Sequence, residues 1–257
     1  IDQLYIALPL EAHDRLEKVL ANLGEETVDI KVAPDLIKFM NLQAGVEELD
    51  GLPIVNLTES PLYGWNLVVK RASDIVLSVL AILLSAPVLL LVAALIKLES
   101  RGPIIFRQER VGLDGKEFEM LKFRSMRVDA EDKTGPVWAN KNDDRKTRLG
   151  AFLRKTSVDE LPQLFNVLKG DMSLVGPRPE RPVFVEEFKK SVPQYMLRLK
   201  MKAGLTGWAQ VNGWRGDTSL NKRIEFDLYY IKNWSLLFDL KIILMTFWKG
   251  FINPHAY

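Results

Sequence analysis

The feature that most limits how this chain can fold is an apolar run over residues 75–96. Its only polar side chains are Ser78 and Ser85, and about 20 such residues are enough for a helix to cross the hydrocarbon core of a bilayer. Pro87 removes a backbone donor and clashes with the preceding turn, and the Ser85 hydroxyl can then satisfy a freed carbonyl. The run therefore predicts a membrane helix that is broken at Ser85 and Pro87.

Basic residues flank this run on both sides. They are Lys70 and Arg71 before it, and Lys97, Arg101, Arg107 and Arg110 after it. Because Lys and Arg are enriched on the cytoplasmic side of membrane segments, both ends are expected on that side of the membrane. A re-entrant helical hairpin over residues 70–100 accounts for both the bend and the charges. An ordinary transmembrane helix and a buried helix of a soluble core remain as alternatives.

The composition indicates a folded protein that does not bind nucleic acid. Of the 257 residues, 47% are hydrophobic, and 35 Lys+Arg against 33 Asp+Glu give a net charge of only +2. The chain has no cysteine, which excludes disulfides, thiolate metal sites and cysteine nucleophiles. This composition suits a reducing compartment.

Residues 1–60 alternate predicted strands with one predicted helix. The strands are residues 4–10, 28–32 and 52–57, and the helix is residues 11–23. This order predicts a partial Rossmann-like βαβ module with a structural or regulatory role, although a glycine-rich phosphate fingerprint is absent and ligand binding remains an alternative. Residues 61–69 are a predicted linker. Because the chain starts inside an apolar run, at Ile1, we expect it to be a piece of a longer protein.

The densest group of candidate catalytic residues lies between positions 154 and 171. Ser157 with Glu160 fits a capping box, an apolar helical face follows, and Gly170 is a natural helix end. The sequence thus predicts one helix that carries Asp159 and Glu160 in its first turn. On one interpretation the two carboxylates only cap this helix and complement its dipole.

A catalytic interpretation follows from the same position. The N-terminus of a helix presents unpaired N–H groups and partial positive charge, so a phosphate can bind there and nearby carboxylates stay ionised. An ionised Asp159 could attack phosphorus to form an acyl phosphate, and Glu160 could hold a Mg²⁺ that bridges a diphosphate. Adjacent helical residues diverge by about 100°, so two separate tasks are expected rather than one shared proton.

Candidate anion ligands lie on both sides of these carboxylates in the sequence. Pro177 and Pro179 fix the backbone around Arg178, which suits bidentate recognition of a phosphate. Candidates upstream, on one face of a predicted strand or just before the carboxylates, are Lys122, Arg124 and Arg154. A solvated surface charge is the alternative interpretation of each of these cations.

Two later segments, residues 184–201 and 236–252, are amphipathic. Each mixes large apolar and aromatic side chains with charged ones. Such segments are equally suited to the protein core and to the interface of a membrane, where apolar groups face the lipid and Lys or Arg face water. Both interpretations remain open from the sequence.

Several motifs follow one another in a characteristic order. They are Lys70-Arg-Ala-Ser-Asp74, Ser85-Ala-Pro87, Lys122-Phe-Arg-Ser-Met126, Thr156-Ser-Val-Asp-Glu-Leu-Pro162, Asn166-Val-Leu-Lys-Gly-Asp-Met-Ser173 and Val175-Gly-Pro-Arg-Pro179. From Lys70 onward the chain resembles the monotopic phosphoglycosyl transferases, also called the bacterial sugar transferase family, although Ala86 interrupts the usual Ser-Pro break. The resemblance implies an α/β, membrane-associated catalytic domain over residues 101–257, with a re-entrant hairpin and amphipathic interfacial helices.

The resemblance also implies an activity in two steps, the transfer of a sugar phosphate from a nucleotide diphosphate sugar to undecaprenyl phosphate. Asp159 would form a phosphosugar intermediate as UMP leaves, and the lipid phosphate would then attack that intermediate. Glu160 would bind Mg²⁺, and Arg154 and Arg178 would bind phosphate groups.

The C-terminal part resembles the longer subfamily that begins exopolysaccharide or capsule repeat units, which includes undecaprenyl-phosphate glucose phosphotransferases. The likeness lies in residues 204–216, 227–231, 233–235 and 256–257. It implies UDP-glucose as the donor, and undecaprenyl phosphate and the lipid bilayer as partners. It also implies a catalytic domain on the cytoplasmic face of the bacterial inner membrane, and it is compatible with a homo-oligomer. Trp208, Gln210 and Arg215 would contact the nucleotide or the sugar, with core or membrane packing as the alternative for Trp208.

Two other functions remain open from the sequence. A glycosyltransferase would move the sugar alone and release UDP rather than UMP. A non-catalytic membrane scaffold of a polysaccharide assembly complex would use Asp159 and Glu160 only to cap their helix.

Overall fold

The chain divides into two compact units, Ile1–Glu59 and Ser60–Tyr257. The computed structural model describes residues 3–8, 15, 18, 29–34, 43–49, 52–59, 62, 64–127, 145–216 and 218–250. The rest of the predicted helix 11–23, residues 61 and 63 of the predicted linker and residues 251–257 lie outside the described residues, whereas residues 65–69 of that linker are helical. Each unit is considered by itself.

The first unit contains two pairs of strands among its described residues. These strands are β1 (Gln3–Leu8), β2 (Asp29–Pro34), β3 (Gln43–Leu49) and β4 (Leu52–Glu59). β1 and β2 are parallel, which requires a crossover, and Arg15 and Lys18 between them are helical. β3 and β4 form an antiparallel hairpin that the sequence does not predict. The Rossmann-like module therefore stays a prediction.

The second unit mixes helices with short strand pairs, as an α/β fold predicts. Its main elements are α1 (Trp65–Glu99), β5 (Ile105–Val111), β6 (Glu117–Phe123), α2 (Arg148–Thr156), α3 (Gln163–Lys169), β7 (Ser173–Val175), α4 (Pro182–Ser191), β8 (Gly204–Thr206), α5 (Trp208–Val211), α6 (Leu220–Lys232) and α7 (Leu236–Gly250). Short 3₁₀ helices cover Leu113–Gly115, Val158–Glu160 and Tyr195–Lys200. β5 and β6 pair antiparallel, and β7 and β8 pair parallel.

Within the described residues, α1 is the one helix long and apolar enough to cross a membrane. Only 17% of its most apolar 18 residues are buried, whereas a core helix would be mostly buried. Pro87 lies inside α1 without ending it. The Ser85 hydroxyl lies 2.6 Å from the Ala81 carbonyl oxygen, although in a regular helix Pro87 frees the Leu83 carbonyl. The predicted break thus does not interrupt the helix, and the re-entrant path stays a prediction.

Buried charges bond the first turns of α1 to the rest of the second unit. The Lys70 ammonium donates to the Asp239 carboxylate at 2.8 Å, to the Val175 carbonyl at 3.1 Å and to Asp74 at 3.3 Å. Asp74 accepts in turn from the Leu174 backbone N–H at 3.1 Å. The start of the apolar helix is therefore fixed to β7 and to α7.

The last turns of α1 complete a hydrophobic core. Val92 and Ile96 pack with Phe123 of β6 and Leu153 of α2, and Val158 packs against the same group. Because Val158 directly precedes the two candidate carboxylates, this core also fixes their position. Both ends of α1 are thus bonded to or packed against the rest of the second unit.

The two amphipathic segments differ in their surroundings. In the first, Val185, Tyr195 and Leu199 are buried in a core cluster, so residues 184–201 supply core contacts. In the second, the α7 helix buries Asp239 and Ile242 on one face. Its other face leaves large apolar side chains exposed, namely Leu237, Leu240, Leu244, Phe247 and Trp248.

Candidate active site

The two candidate carboxylates lie in a turn between helices. Ser157 adopts a left-handed conformation with φ 57°, and its N–H bonds to the Arg154 carbonyl oxygen at 3.2 Å, which closes α2. Asp159 and Glu160 follow in a 3₁₀ helix, and α3 begins only after Pro162. The predicted capping box is therefore wrong, because Ser157 makes no side-chain cap. Pro162 lacks an N–H and suits the start of a helix, which places the helix start after the carboxylates.

The Glu160 carboxylate is held by two cations. Its Oε1 atom accepts from Arg178 Nη2 at 2.7 Å and from Lys122 Nζ at 3.0 Å, while Gln210 lies 3.2 Å from Arg178 Nη1. Burial raises the pKa of Glu160, but the charges of Arg178 and Lys122 outweigh it and hold the pKa well below its usual range. Burial lowers the pKa of Lys122 in spite of the neighbouring carboxylate. Glu160 is thus ionised and fixed in place.

The Asp159 carboxylate is buried but has no fixed partner. It is 5% exposed and accepts no hydrogen bond from the described residues. Burial and the negative charge of Glu160 raise its pKa to about 6, although the positive charges of Lys122, Arg154 and Arg178 act in the opposite direction. At neutral pH Asp159 is therefore mostly ionised, with its oxygens unpaired by the surrounding protein.

Two further arginines, Arg154 and Arg215, lie near these carboxylates, and their guanidinium groups have no hydrogen-bond partners among the described residues. The charge of Arg154 acts on Asp159, whereas that of Arg215 acts on Glu160 and on Asp159. Burial and the nearby Arg178 lower the pKa of Arg215. The cations around the two carboxylates are Lys122, Arg154, Arg178 and Arg215. Four cations against two carboxylates leave a surplus of two positive charges, which suits an anionic ligand.

Two predicted ligand residues lie elsewhere. The guanidinium of Arg124 is bonded to the Arg101 carbonyl at 2.9 Å and to the Ser100 carbonyl at 3.0 Å, just after α1. The prediction of Arg124 as a phosphate ligand in this cluster is therefore not supported, because its guanidinium is already bonded to these two carbonyl oxygens. Trp208 packs against an aromatic group that includes Phe238, at 5.0 Å between ring centroids.

The chain matches a known family over most of its length. Residues 65–253 match the family described as bacterial sugar transferase. The chain belongs to that family.

Curated relatives of this bacterial sugar transferase carry related names. The UDP-glucose:undecaprenyl-phosphate glucose-1-phosphate transferase of Escherichia coli (strain K12) is 48% identical over 100% of this chain and 56% of its own length. The exopolysaccharide production protein PSS of Rhizobium leguminosarum bv. phaseoli is 49% identical over 70% of this chain and 94% of its own. The UDP-N-acetylgalactosamine-undecaprenyl-phosphate N-acetylgalactosaminephosphotransferase of Aeromonas hydrophila is 41% identical over 90% and 54%. The chain thus spans about half the length of the first and third relatives.

Other residues of this bacterial sugar transferase support the site although the sequence does not reveal their role. The Asn166 side chain on α3 accepts from the Leu121 N–H at 2.9 Å and donates to the Glu119 carbonyl at 2.7 Å. These bonds join α3 to β6, so that Lys122 faces Glu160. Asn166 lies in one of the motifs, but its partners are on a distant strand. The sequence likewise does not reveal the buried ion pairs behind Arg178, which are Arg198 with Asp227 and Arg223 with Glu180, because the partners are far apart along the chain.

Glu160 is the residue of this bacterial sugar transferase whose contacts bear on the predicted Mg²⁺ site. Within the described residues no group of three or more His, Asp or Glu side chains could hold a metal. Oε1 of Glu160 already accepts two hydrogen bonds, whereas Oε2 has a single long contact of 3.4 Å to Arg178. One free carboxylate oxygen beside Asp159 suits Mg²⁺, which takes most of its ligands from water and substrate phosphates.

Proposed function

We propose that this chain transfers a sugar 1-phosphate, glucose 1-phosphate in the first instance, from a UDP-sugar to undecaprenyl phosphate and releases UMP. The reaction would begin the synthesis of exopolysaccharide or capsule repeat units. The names of the relatives support this class of reaction. Two of the relatives described above are named for a nucleotide sugar, and the one with the higher identity, 48% against 41%, is named for UDP-glucose. The observation that carries the proposal is the ionised Asp159 carboxylate, which has no hydrogen-bond partner among the described residues and lies within a group of cations.

In the first step an oxygen of Asp159 attacks the β-phosphorus of the UDP-sugar. A bond forms between the carboxylate and phosphorus, and the bond to the bridging oxygen breaks so that UMP leaves. In the second step an oxygen of undecaprenyl phosphate attacks the same phosphorus and displaces the carboxylate. Lys122, Arg178 and Arg215 neutralise the diphosphate, and Arg154 lies beside Asp159, where the lipid phosphate would arrive.

Glu160 is the residue that would hold Mg²⁺, through the oxygen that has only one long contact. The ion would neutralise charge on the diphosphate so that an anionic nucleophile can approach it. In addition to neutralising the diphosphate, Lys122 and Arg178 would keep Glu160 ionised and correctly oriented for this task.

The contacts of α1 support a re-entrant path through the membrane. Residues 70–74 and residues 96–100 both bond to or pack on the same compact unit. If the apolar middle of α1 lies in a bilayer, we expect both of its ends on the same side of it. The flanking basic residues favour the cytoplasmic side.

The exposed apolar face of α7 supports an interfacial position for this helix. Leu237, Leu244 and Trp248 are 78%, 69% and 78% exposed. On its buried face Asp239 is bonded to Lys70, just where α1 becomes apolar. The exposed side chains thus belong to an element that is bonded to the membrane-entry end of α1, where amphipathic helices bury such faces in lipid.

The experiment supplies the purified protein with Mg²⁺, undecaprenyl phosphate and a panel of UDP-sugars, and measures the nucleotide released. UMP release with UDP-glucose supports the proposal, UDP release indicates a glycosyltransferase, and no nucleotide from any donor indicates a scaffold. Asp159→Asn should lower UMP release by at least about 10³-fold. Asp114→Asn is the matched control, because Asp114 is an exposed carboxylate in a left-handed turn that Asn also adopts.

A further inference from the structure

The turn that carries Arg178 is held from behind by buried arginines on three other elements. Arg198 Nη2 donates to the Arg178 carbonyl oxygen at 2.8 Å, and Arg110 Nη1 donates to the next carbonyl oxygen at 2.9 Å. Arg223 Nη1 binds the carboxylate of Glu180 at 2.8 Å. The backbone directly after the Arg178 Cα is therefore held by charged donors.

Arg198 is itself held by an acidic partner. Its Nη2 and Nε atoms lie 2.7 Å and 3.0 Å from Oδ2 of Asp227 on α6, and the two side chains are 1% and 2% exposed. The Tyr195 hydroxyl lies 3.2 Å from Nη1, and the guanidinium carbon lies 5.3 Å from the Tyr195 ring centroid. Arg198 thus connects α6 to the Arg178 turn along one buried path.

Stability alone gives little reason for this ion pair. Replacing a buried ion pair by apolar residues of similar volume is often neutral or stabilising, because the desolvation of two charges offsets their attraction. An apolar pair could fill the same space between α6 and the 3₁₀ helix. It could not donate a hydrogen bond to the Arg178 carbonyl oxygen.

We propose that Arg198, oriented by Asp227, is a positioning residue that fixes the Arg178 backbone and so aims the Arg178 guanidinium at the donor diphosphate. The inference rests on the proposed function, because it takes Arg178 to bind a phosphate. That guanidinium has a defined place, 2.7 Å from Glu160 and 3.2 Å from Gln210.

The decisive variant is the apolar pair Arg198→Met with Asp227→Leu. We expect its thermal unfolding midpoint to lie within a few degrees of the wild-type value. We also expect its KM for UDP-glucose to rise about tenfold or more, with kcat for UMP release within about threefold. Arg178 would bind the diphosphate in the ground state and the transition state alike, and loss of such binding raises KM alone.

A purely structural role of the pair predicts the opposite pattern. In that case the active fraction of the protein would fall or remain the same, and the maximal rate would follow it. The KM would keep its wild-type value. A well-folded double variant with wild-type KM therefore overturns the positioning role. The control changes an exposed ion pair on α6, the helix that carries Asp227. This variant, Lys222→Met with Glu225→Gln, should leave both KM and kcat unchanged.

A second variant covers the case in which the apolar pair does not fold. Arg198→Lys keeps the positive charge beside Asp227, but a compact ammonium lacks the planar fork that reaches the carboxylate and the carbonyl together. Its KM should rise as in the double variant, and a wild-type KM again overturns the proposal. Absence of UMP from the wild-type protein would instead refute the proposed function itself.

Discussion

Asp159→Asn should stabilise the protein at alkaline pH while it removes the activity. In the folded state burial and the charge of Glu160 raise the pKa of Asp159 from 3.8 to about 6, at 5% exposure. The folded state therefore binds the proton more tightly than the unfolded chain. The stability that this proton contributes is fully present below the unfolded pKa and is lost as pH rises through about 6. Asn imitates the protonated form at every pH.

The size of the effect follows from the two pKa values. Each pH unit between them corresponds to 1.36 kcal/mol, so ionised Asp159 destabilises the fold by about 3 kcal/mol at pH 8 and by roughly half of that at pH 5. A change of 1 kcal/mol moves the unfolding midpoint of a unit this large by about 2–4 °C. Asp159→Asn should thus raise the midpoint by about 6–12 °C at pH 8 and by clearly less at pH 5.

The assay is thermal unfolding followed by tryptophan fluorescence, at pH 8 and pH 5 and in the presence of EDTA so that no divalent ion contributes. Wild type, Asp159→Asn and the exposed control Asp114→Asn are compared. The control should not change at either pH, since its carboxylate is more than half exposed. A midpoint for Asp159→Asn that is no higher than wild type at pH 8, or a larger gain at pH 5 than at pH 8, would refute the reasoning.

Two predictions concern the packing that supports the site, and thermal unfolding checks both. Asn166→Leu keeps the volume but leaves the Leu121 N–H and the Glu119 carbonyl without partners, so stability should fall by about 2–4 kcal/mol; an unchanged midpoint would contradict this role. Gly150→Ala should cost about 3 kcal/mol, because the new Cβ would lie 2.6 Å from the Ser125 carbonyl carbon. A variant as stable as wild type would show that α2 can move away at little cost.

The sequence predicts the members of the charged cluster better than it predicts the backbone that brings them together. Lys122, Arg178 and the pair Asp159 and Glu160 lie in three separate motifs, and the structure places all four residues within one cluster. Residue type and motif order are enough for this, because few folded arrangements would leave so many cations and carboxylates buried without pairing them.

The local backbone at the carboxylates was predicted wrongly for an identifiable reason. The pattern from Ser157 to Glu160 is that of a capping box, but Pro162 is the stronger signal, since a proline inside the first turns of a helix is tolerated only at its start. A helix that begins after Pro162 leaves Asp159 and Glu160 in the preceding turn. Ser157 then takes the left-handed conformation that ends α2.

The buried ion pairs could not be predicted from a single sequence. Arg198 and Asp227 are 29 positions apart, and Lys70 and Asp239 are 169 apart. A charged side chain is normally solvated, and nothing local shows which ones will be buried together. Arg124 illustrates the converse, because its position two residues after Lys122 suggested a shared ligand, whereas its guanidinium is bonded to Ser100 and Arg101.

The last turns of α1 also bear on how the protein is made. Val92 and Ile96 share a core with Phe123 and Leu153. The region after α1 therefore cannot bury Phe123 and Leu153 in this core without the helix. Synthesis runs from the N-terminus, and α1 has therefore left the ribosome before β6 and α2 exist. If a bilayer captures the apolar run first, Val92 and Ile96 would be in place before the later strands and helices pack on them. Insertion of α1 would then precede the folding of the second unit.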